Sequence, residues 1–138
     1  MSWFMWALLS AFFAGLTAIL AKVGVAGVSS NLATAIRTVV ILVFAWLVAL
    51  IGRHEPLSTI SGKTWVFLVL SGVATGCSWL CYFRALQLGE ASRVAPVDKL
   101  SVVVAIILAG IFLHERLTWH QWVGGSLIVL GAIVLAYT

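Results

Sequence analysis

The chain has 138 residues, of which 63% are hydrophobic and only 9% are charged, and its mean hydropathy is +1.17. This composition excludes an ordinary soluble domain, because too few polar residues remain to cover its surface, and it predicts an integral membrane protein. The formal charge of +4 arises from eight Lys and Arg against four Asp and Glu, without the basic cluster that nucleic-acid binding requires.

Five apolar runs follow one another along the chain, each as long as a bilayer requires. At about 1.5 Å of helical rise per residue, each run covers about 27 to 30 Å, close to the hydrocarbon thickness of a membrane. The connections are too short for a folded domain. We therefore expect an all-α membrane protein with one transmembrane domain over residues 1–138. The predicted spans are residues 3–21, 32–51, 65–83, 96–113 and 119–137.

The odd number of spans assigns each connection to one of two membrane faces. Face A carries the N-terminus and the second and fourth connections; face B carries the others and the C-terminus. Arg37 and Lys99 lie a turn or so inside face B, and counting them gives that face a lead of five to three. Without them, the basic residues of the connections are balanced between the faces, which is either accident or what a chain inserting in both orientations would show. They are Arg53, Lys63 and Arg116 on face A, and Lys22, Arg84 and Arg93 on face B.

Small residues recur at helical spacing on the third and fifth spans. Gly72 and Gly76 form a GxxxG motif, and Gly124 and Gly131 mark one stripe of the last span. Such stripes let helix backbones approach closely. They predict either packing within one bundle or a contact between subunits, and spacing alone does not separate the two.

The third span also carries residues that could contact a substrate. Trp79 and Tyr82 lie near its face-B end, where aromatic rings either stack against a ligand or anchor the helix at the interface. Cys77 and Cys81 stand four residues apart in the same apolar run. We expect these two cysteines to be buried free thiols.

Asp98 and Lys99 stand side by side near the face-B end of the fourth span. Pro96 predicts the start of that span, because proline lacks an N–H and suits the first helical turn. Asp98 would then be stabilised by the positive end of the helix dipole, and Lys99 would extend to face B. The alternative is a cavity-facing cluster with Arg37, because a charge facing lipid costs about 2.5 to 3.5 kcal/mol.

The last connection carries a helix-start signal. Thr118 and Gln121 have the T-x-x-Q spacing of a capping box, which predicts a tight hairpin and a fifth span starting near Trp119. The histidines lack metal-ligand spacing, and the sequence has no nucleophile triad, phosphate loop or paired catalytic carboxylates. We therefore expect neither an enzyme nor a bound metal or cofactor.

The stretch from Ser78 to Ala136 resembles the second part of an EamA repeat, the five-helix unit of the drug/metabolite transporter superfamily. The start of the chain resembles the first part of the repeat, with Lys22 ending span one and Asn31 and Arg37 opening span two. The later features that carry the resemblance are residues 85–89, Pro96, the pair Glu115 and Arg116, and the glycine-rich run 125–131.

The resemblance implies a secondary transporter or exporter of small metabolites or drugs in a prokaryotic cell membrane. Most members have two inverted repeats around a cavity, which rock in alternating access. This chain has one repeat, so the resemblance implies a homodimer, possibly antiparallel, in contact with membrane lipid and a small-molecule substrate. The alternative is an auxiliary subunit or half-carrier that needs a different partner, such as a flippase component.

Overall fold

The computed structural model describes residues 2–52 and 56–137, and that part of the chain is helical without any strand. Five of its helical segments are long and apolar enough to cross a membrane, which confirms the predicted all-α membrane fold. The fourth segment, Ala91–Phe112, is interrupted and counts as two helices. The helices are α1 (Trp3–Gly24), α2 (Ser30–Ile51), α3 (Gly62–Leu88), α4 (Ala91–Asp98), α5 (Ser101–Phe112) and α6 (Trp119–Tyr137).

The described residues form two compact units. One unit comprises residues 1–22 and 88–138, which include all but the last two residues of α1 together with α4, α5 and α6. The other contains α2 and α3, within residues 23–87, together with a short 3₁₀ turn at Leu57–Thr59 that leads into α3. The single domain that the sequence predicts over residues 1–138 stays a prediction.

The fourth span begins earlier than the sequence predicts, and the predicted start at Pro96 is wrong. The carbonyl of Glu90 accepts hydrogen bonds from the N–H groups of Arg93 and Val94, both at 3.0 Å, so the helix begins at Ala91. Pro96 therefore lies inside α4, where its missing N–H removes only one helical hydrogen bond.

The helix gives way one turn after this proline. The N–H groups of Lys99 and Leu100 donate to carbonyls three residues back, at 3.1 and 3.0 Å, instead of four. This tightening separates α4 from α5, which begins at Ser101. The fourth span is thus a discontinuous helix, and Asp98 ends its first half rather than opening the span.

Helix α3 is also longer than predicted and ends at Leu88, so only two residues connect it to α4. Arg84 consequently lies within α3 rather than in a connection. Polar side chains satisfy backbone carbonyls beside this end of α3. In the unit of α1, Lys22 Nζ donates to the Gly89 carbonyl at 2.7 Å, and in the unit of α2 and α3, Gln87 Nε2 donates to the Val28 carbonyl at 2.6 Å.

The hairpin before α6 has the local chemistry that the sequence predicts. Gln121 Oε1 accepts from the Thr118 N–H at 2.7 Å, and α6 begins at Trp119, which confirms the capping interaction. His114 adopts a positive φ of 54° as the chain leaves α5. Leu117 folds back so closely that a Cβ on Gly110 would lie 3.1 Å from its Cδ1, and the hairpin is therefore tight.

Helix α6 packs on α4 and α5 through a stripe next to the predicted one. Gly125 and Ala132 are buried, and a Cβ on Gly125 would lie 3.9 Å from Ile106 Cδ1. A Cβ on Gly124 or Gly131 would have no atom within 4 Å. The same holds at Gly72 and Gly76. Among the described residues of each unit, close packing therefore does not use any of the four glycines that the sequence analysis selected.

Burial in α1, α2 and α3 is confined to one part of each helix. The second half of α1, the start of α2 and the last turns of α3 contain buried residues. These parts lie toward face B in the predicted topology. The described residues 3–17, 35–51 and 62–82 of the same helices contain none. The buried residues concerned are Ala18, Ala21, Ser30, Thr34, Phe83 and Leu86.

Candidate functional site

The candidate site is built around Arg37 in the unit of α2 and α3. Helix α2 starts after Ser29, whose hydroxyl accepts the Leu32 N–H at 3.4 Å. Arg37 follows about two turns into the helix. Its guanidinium carbon lies 4.6 Å from the centroid of the Trp79 ring and 5.4 Å from that of Phe83. Because Trp79 and Phe83 stand four residues apart, they share one face of α3, and Arg37 contacts both.

This aromatic contact lowers the cost of placing Arg37 within a membrane span. A cation at the centre of a membrane helix costs about 2.5 to 3.5 kcal/mol on insertion scales. A cation over an aromatic face recovers about 0.5 to 2 kcal/mol, the larger value applying where water is excluded. The two rings therefore offset part of the cost of this charge.

The two threonines of α2 are engaged within the helix. Thr34 Oγ1 donates to the Ser30 carbonyl and Thr38 Oγ1 to the Thr34 carbonyl, both at 2.8 Å. Their hydroxyl protons are thus used by the helix backbone. Among the described residues of this unit, no hydrogen bond or ion pair reaches the guanidinium of Arg37. The described residues of this unit therefore leave N–H donors of Arg37 available.

The aromatic residues near the end of α3 differ in their surroundings. Trp79 is half-buried beside the cation, whereas Phe83 is almost fully buried at 3% exposure. Tyr82 packs edge-on against Phe83, with ring centroids 6.4 Å apart. The sequence analysis selected Trp79 and Tyr82 but missed Phe83, although the four-residue spacing from Trp79 to Phe83 could have indicated it.

Asp98 and Lys99 pair with each other at the end of α4. Lys99 Nζ lies 3.4 Å from Asp98 Oδ2, and both side chains are partly exposed. Asp98 is the last residue of α4, so the interpretation that it faces the positive end of a helix dipole in a first turn is wrong. The structure brings Arg37 to Trp79 and Phe83, and Asp98 to Lys99; a cluster of Arg37, Asp98 and Lys99 stays a prediction.

The cysteines of α3 differ from expectation as well. Cys77 and Cys81 are free but exposed rather than buried. Across residues 2–52 and 56–137, no three His, Cys, Asp or Glu side chains come together as a metal site would require.

Comparison with known proteins connects these features to a family. The sequence matches the EamA-like transporter family over residues 1–137. The chain belongs to this family. The predicted resemblance to EamA repeats is thereby confirmed, and five membrane-spanning helices are its structural counterpart.

Relatives of this EamA chain differ in how much of their length it covers. A Sinorhizobium protein named as an uncharacterized transporter in the cobO 3′ region is 58% identical over 136 residues, covering 98% of this chain and 96% of the relative. A second relative is ArnE of Aeromonas hydrophila, named as a probable 4-amino-4-deoxy-L-arabinose-phosphoundecaprenol flippase subunit. It is 30% identical over 69 residues, which are 50% of this chain and 60% of the relative.

A third relative is a much longer protein. An uncharacterized transporter of Synechocystis is 28% identical over 135 residues, which are 91% of this chain but 37% of the relative. No solved structure matches the chain significantly. EamA sequences related to this one thus occur both at nearly the same length and as part of a longer polypeptide.

Proposed function

We propose that this EamA protein is a secondary transporter of small metabolites or drugs in which two copies of the five-helix chain form one carrier. Family membership and the transporter names of its relatives support the transport function. The Sinorhizobium relative supports a bacterial inner membrane as its location. Two repeats that rock against each other would give alternating access to a site near the middle of the bilayer.

The distribution of burial is the observation that carries the two-copy proposal. Residues 3–17, 35–51 and 62–82 of the first three spans have no buried side chain, although each segment is apolar. Lipid covers such surfaces, but a carrier also needs a protein wall around its substrate. A second copy would supply that wall for the chain, as the second repeat of a longer family member would.

The glycines that pack against nothing support the same proposal. Gly72 and Gly76 on α3, and Gly124 and Gly131 on α6, have open space at their Cβ positions. In lipid, helices associate by close backbone approach at small residues. These stripes would thus serve contacts between copies, since the packing of α6 within the chain uses Gly125 and Ala132 instead.

The charge balance supports an inverted arrangement of the two copies. Three basic residues lie at or near the connections on each face, so neither orientation is strongly preferred. Two oppositely inserted copies would reproduce the inverted repeats of longer carriers. In each copy, the side chains that we propose to line the substrate path are Arg37, Trp79, Tyr82, Asp98 and Lys99.

A second candidate is an auxiliary subunit that completes a different membrane protein. It is favoured by one specific relative, ArnE, which is named as a subunit of a flippase and aligns with half of this chain. In that case the uncovered spans would contact another polypeptide rather than a second copy.

Reconstitution of the purified chain separates these two functions. Proteoliposomes containing only this chain are loaded with radiolabelled metabolites, including amino acids, organic acids and sugar phosphates, and efflux is measured. The carrier proposal predicts efflux of at least one compound without any added protein. Efflux that appears only after a second polypeptide is added would contradict it and support the subunit.

A further inference from the structure

The guanidinium of Arg37 has aromatic neighbours, but no hydrogen-bond acceptor reaches it among the residues of its own unit that the structure describes. Trp79 and Phe83 interact with the cation through their π faces, at 4.6 and 5.4 Å from the guanidinium carbon. A ring face attracts the charge but does not replace a hydrogen-bond acceptor for the five N–H groups at the edge of the guanidinium plane. Since no hydrogen bond or ion pair to described residues of the unit uses these donors, they are available to a ligand.

The sequence of the unit that contains Arg37 has almost no negative charge. Residues 23–87 contain a single acidic residue, Glu55, and it follows the opposite end of α2. From Arg37 to the end of that helix at Ile51 the axial distance is about 21 Å, at 1.5 Å per residue. Among residues 23–52 and 56–87, which the structure describes, the α2–α3 hairpin thus has no carboxylate to pair with this cation.

We propose that Arg37 is the anion-binding residue of the carrier, and that the substrate bears a carboxylate or phosphate group. The inference rests on the proposed transport function and adds a substrate class to it. Two edge N–H groups of a guanidinium match the two oxygens of a carboxylate or phosphate, a geometry that a lysine ammonium does not offer. Trp79 and Phe83 hold the cation in place, and a positively charged substrate is repelled from this position.

The threonines beside Arg37 support this division of roles. Thr34 and Thr38 direct their hydroxyl protons to helix carbonyls, so they do not compete as donors for an anion. On this part of α2, recognition of negative charge therefore depends on Arg37. The same chemistry suits a free organic anion and the phosphate of an anionic lipid, and the experiment distinguishes these sources.

Binding of matched probes tests the proposal. The purified full-length chain in phosphatidylcholine nanodiscs is titrated with indole-3-acetate, phenyl phosphate and indole-3-acetamide, which is the neutral counterpart of the first probe. At least one anionic probe should bind, and the amide should bind about tenfold or more weakly, the loss expected when one charge-assisted pair disappears.

Three variants test whether Arg37 is the residue that binds the anion. Arg37→Gln should weaken binding of the anionic probe about tenfold, and Arg37→Lys should weaken it less because it keeps the charge but loses the paired geometry. The matched control is Arg84→Gln, also an arginine in this unit, whose Nη1 donates to Gln87 Oε1 at 3.0 Å at the exposed end of α3. This control should bind like wild type. Size-exclusion profiles and helical circular dichroism verify folding.

Three results would contradict the anion-site proposal. Absence of binding by both anions, equal binding of acid and amide, or unchanged anion affinity in Arg37→Gln would overturn the anion site. If Arg37→Gln does not fold, Arg37→Lys decides, and wild-type affinity for both anions in that variant would overturn the bidentate geometry that defines the site.

Nanodiscs containing phosphatidylglycerol identify the source of the anion. If that lipid competes with the probe in wild type but not in Arg37→Lys, the occupant is a lipid phosphate; if probe binding is unaffected, it is a free anion. Both results support the anion site.

Efflux measurements distinguish the carrier proposal from the anion-site proposal. Anion binding without efflux refutes the carrier alone, and efflux without selective anion binding refutes the anion site alone.

Discussion

At the scale of single residues, the sequence indicates both partners of the contact between Arg37 and Trp79 but not the contact itself. Each residue is conspicuous in its own apolar run, so both could be selected as candidates. Their pairing depends on how α2 and α3 are rotated about their axes, and residue spacing within either helix does not determine that rotation. Phe83 was missed because a phenylalanine is not conspicuous in an apolar run, and only its four-residue spacing from Trp79 indicated that it shares that face of α3.

Removal of the Trp79 ring should destabilise the protein more than removal of an indole without a cation. Trp79→Ala is expected to lower the free energy of unfolding by about 0.5 to 2 kcal/mol more than Trp46→Ala, the contribution of the cation–π contact. Trp46 lies on the exposed surface of α2. Unfolding in mixed micelles measures both variants. Equal losses in the two variants would mean that the Arg37 contact does not stabilise the fold.

Asp98 should matter for transport more than for stability. Its pairing with Lys99 joins partly exposed neighbours at 3.4 Å, and such pairs contribute about 0.2 to 1 kcal/mol. Asp98→Asn is therefore expected to keep wild-type expression and thermal stability, while efflux in proteoliposomes falls strongly if the carboxylate lines the substrate path. Glu90→Gln, which affects the surface ion pair with Arg93, is the control and should transport normally. Wild-type efflux in Asp98→Asn would remove that residue from the proposed path.

At the scale of helices, local chemistry was predictable where it determined the structure by itself. The Thr118–Gln121 capping interaction is an example, because its two partners are three residues apart and act within one turn. Pro96 was misleading because proline is compatible with two positions, the first turn of a helix and a tolerated interruption inside a membrane helix. Here the Glu90 carbonyl accepts the first hydrogen bonds of the helix, so α4 begins at Ala91 and contains the proline.

The tight hairpin between α5 and α6 should be sensitive at Gly110. A Cβ at this position would lie 3.1 Å from Leu117 Cδ1, so Gly110→Val forces Leu117 to move and is expected to cost about 1 to 3 kcal/mol. Gly15→Val is the matched control, since a Cβ there would meet nothing within 4 Å. Thermal unfolding in detergent compares the two variants. A Gly110→Val protein as stable as Gly15→Val would show that Leu117 yields without cost.

The open glycines of α6 should affect assembly without affecting the fold of the single chain. Gly131→Leu is expected to shift the protein from two copies to one in detergent, because a bulky side chain separates helices that meet at small residues. Gly15→Leu, also at an open position, should leave the copy number unchanged. Analytical ultracentrifugation reports the mass, and an unchanged dimer in Gly131→Leu would exclude this stripe from the interface.

At the scale of the whole molecule, membrane class, span number and family could all be predicted from sequence. Apolar runs of the length of a bilayer allow few other folds, since every backbone polar group must be satisfied inside the membrane. Copy number could not be predicted in this way. An apolar residue that faces lipid and one that faces a second copy have the same hydrophobicity, and the apolar residues among 35–51 of α2, none of them buried, fit both surroundings.

Inverted copies should expose one connection on both sides of the membrane. Ser58 lies exposed in the 3₁₀ turn before α3, and Ser58→Cys in a background with Cys77→Ala and Cys81→Ala gives a single labelling site. About half of the chains should react with an impermeant maleimide in intact cells if the balanced charges permit both orientations. The control adds Thr59→Lys and Ser61→Lys, whose positive charges should hold this connection in the cytoplasm. Labelling of the first variant from only one side would exclude the inverted dimer.

The most direct test of the central claim, that two copies of one five-helix chain make the transporter, is the native mass of the protein extracted from its membrane. Mass spectrometry of the complex in lipid nanodiscs or mild detergent should show two chains of 14.8 kDa each and no other polypeptide. A population consisting only of single chains, or a complex of one chain with a different protein, would contradict the claim.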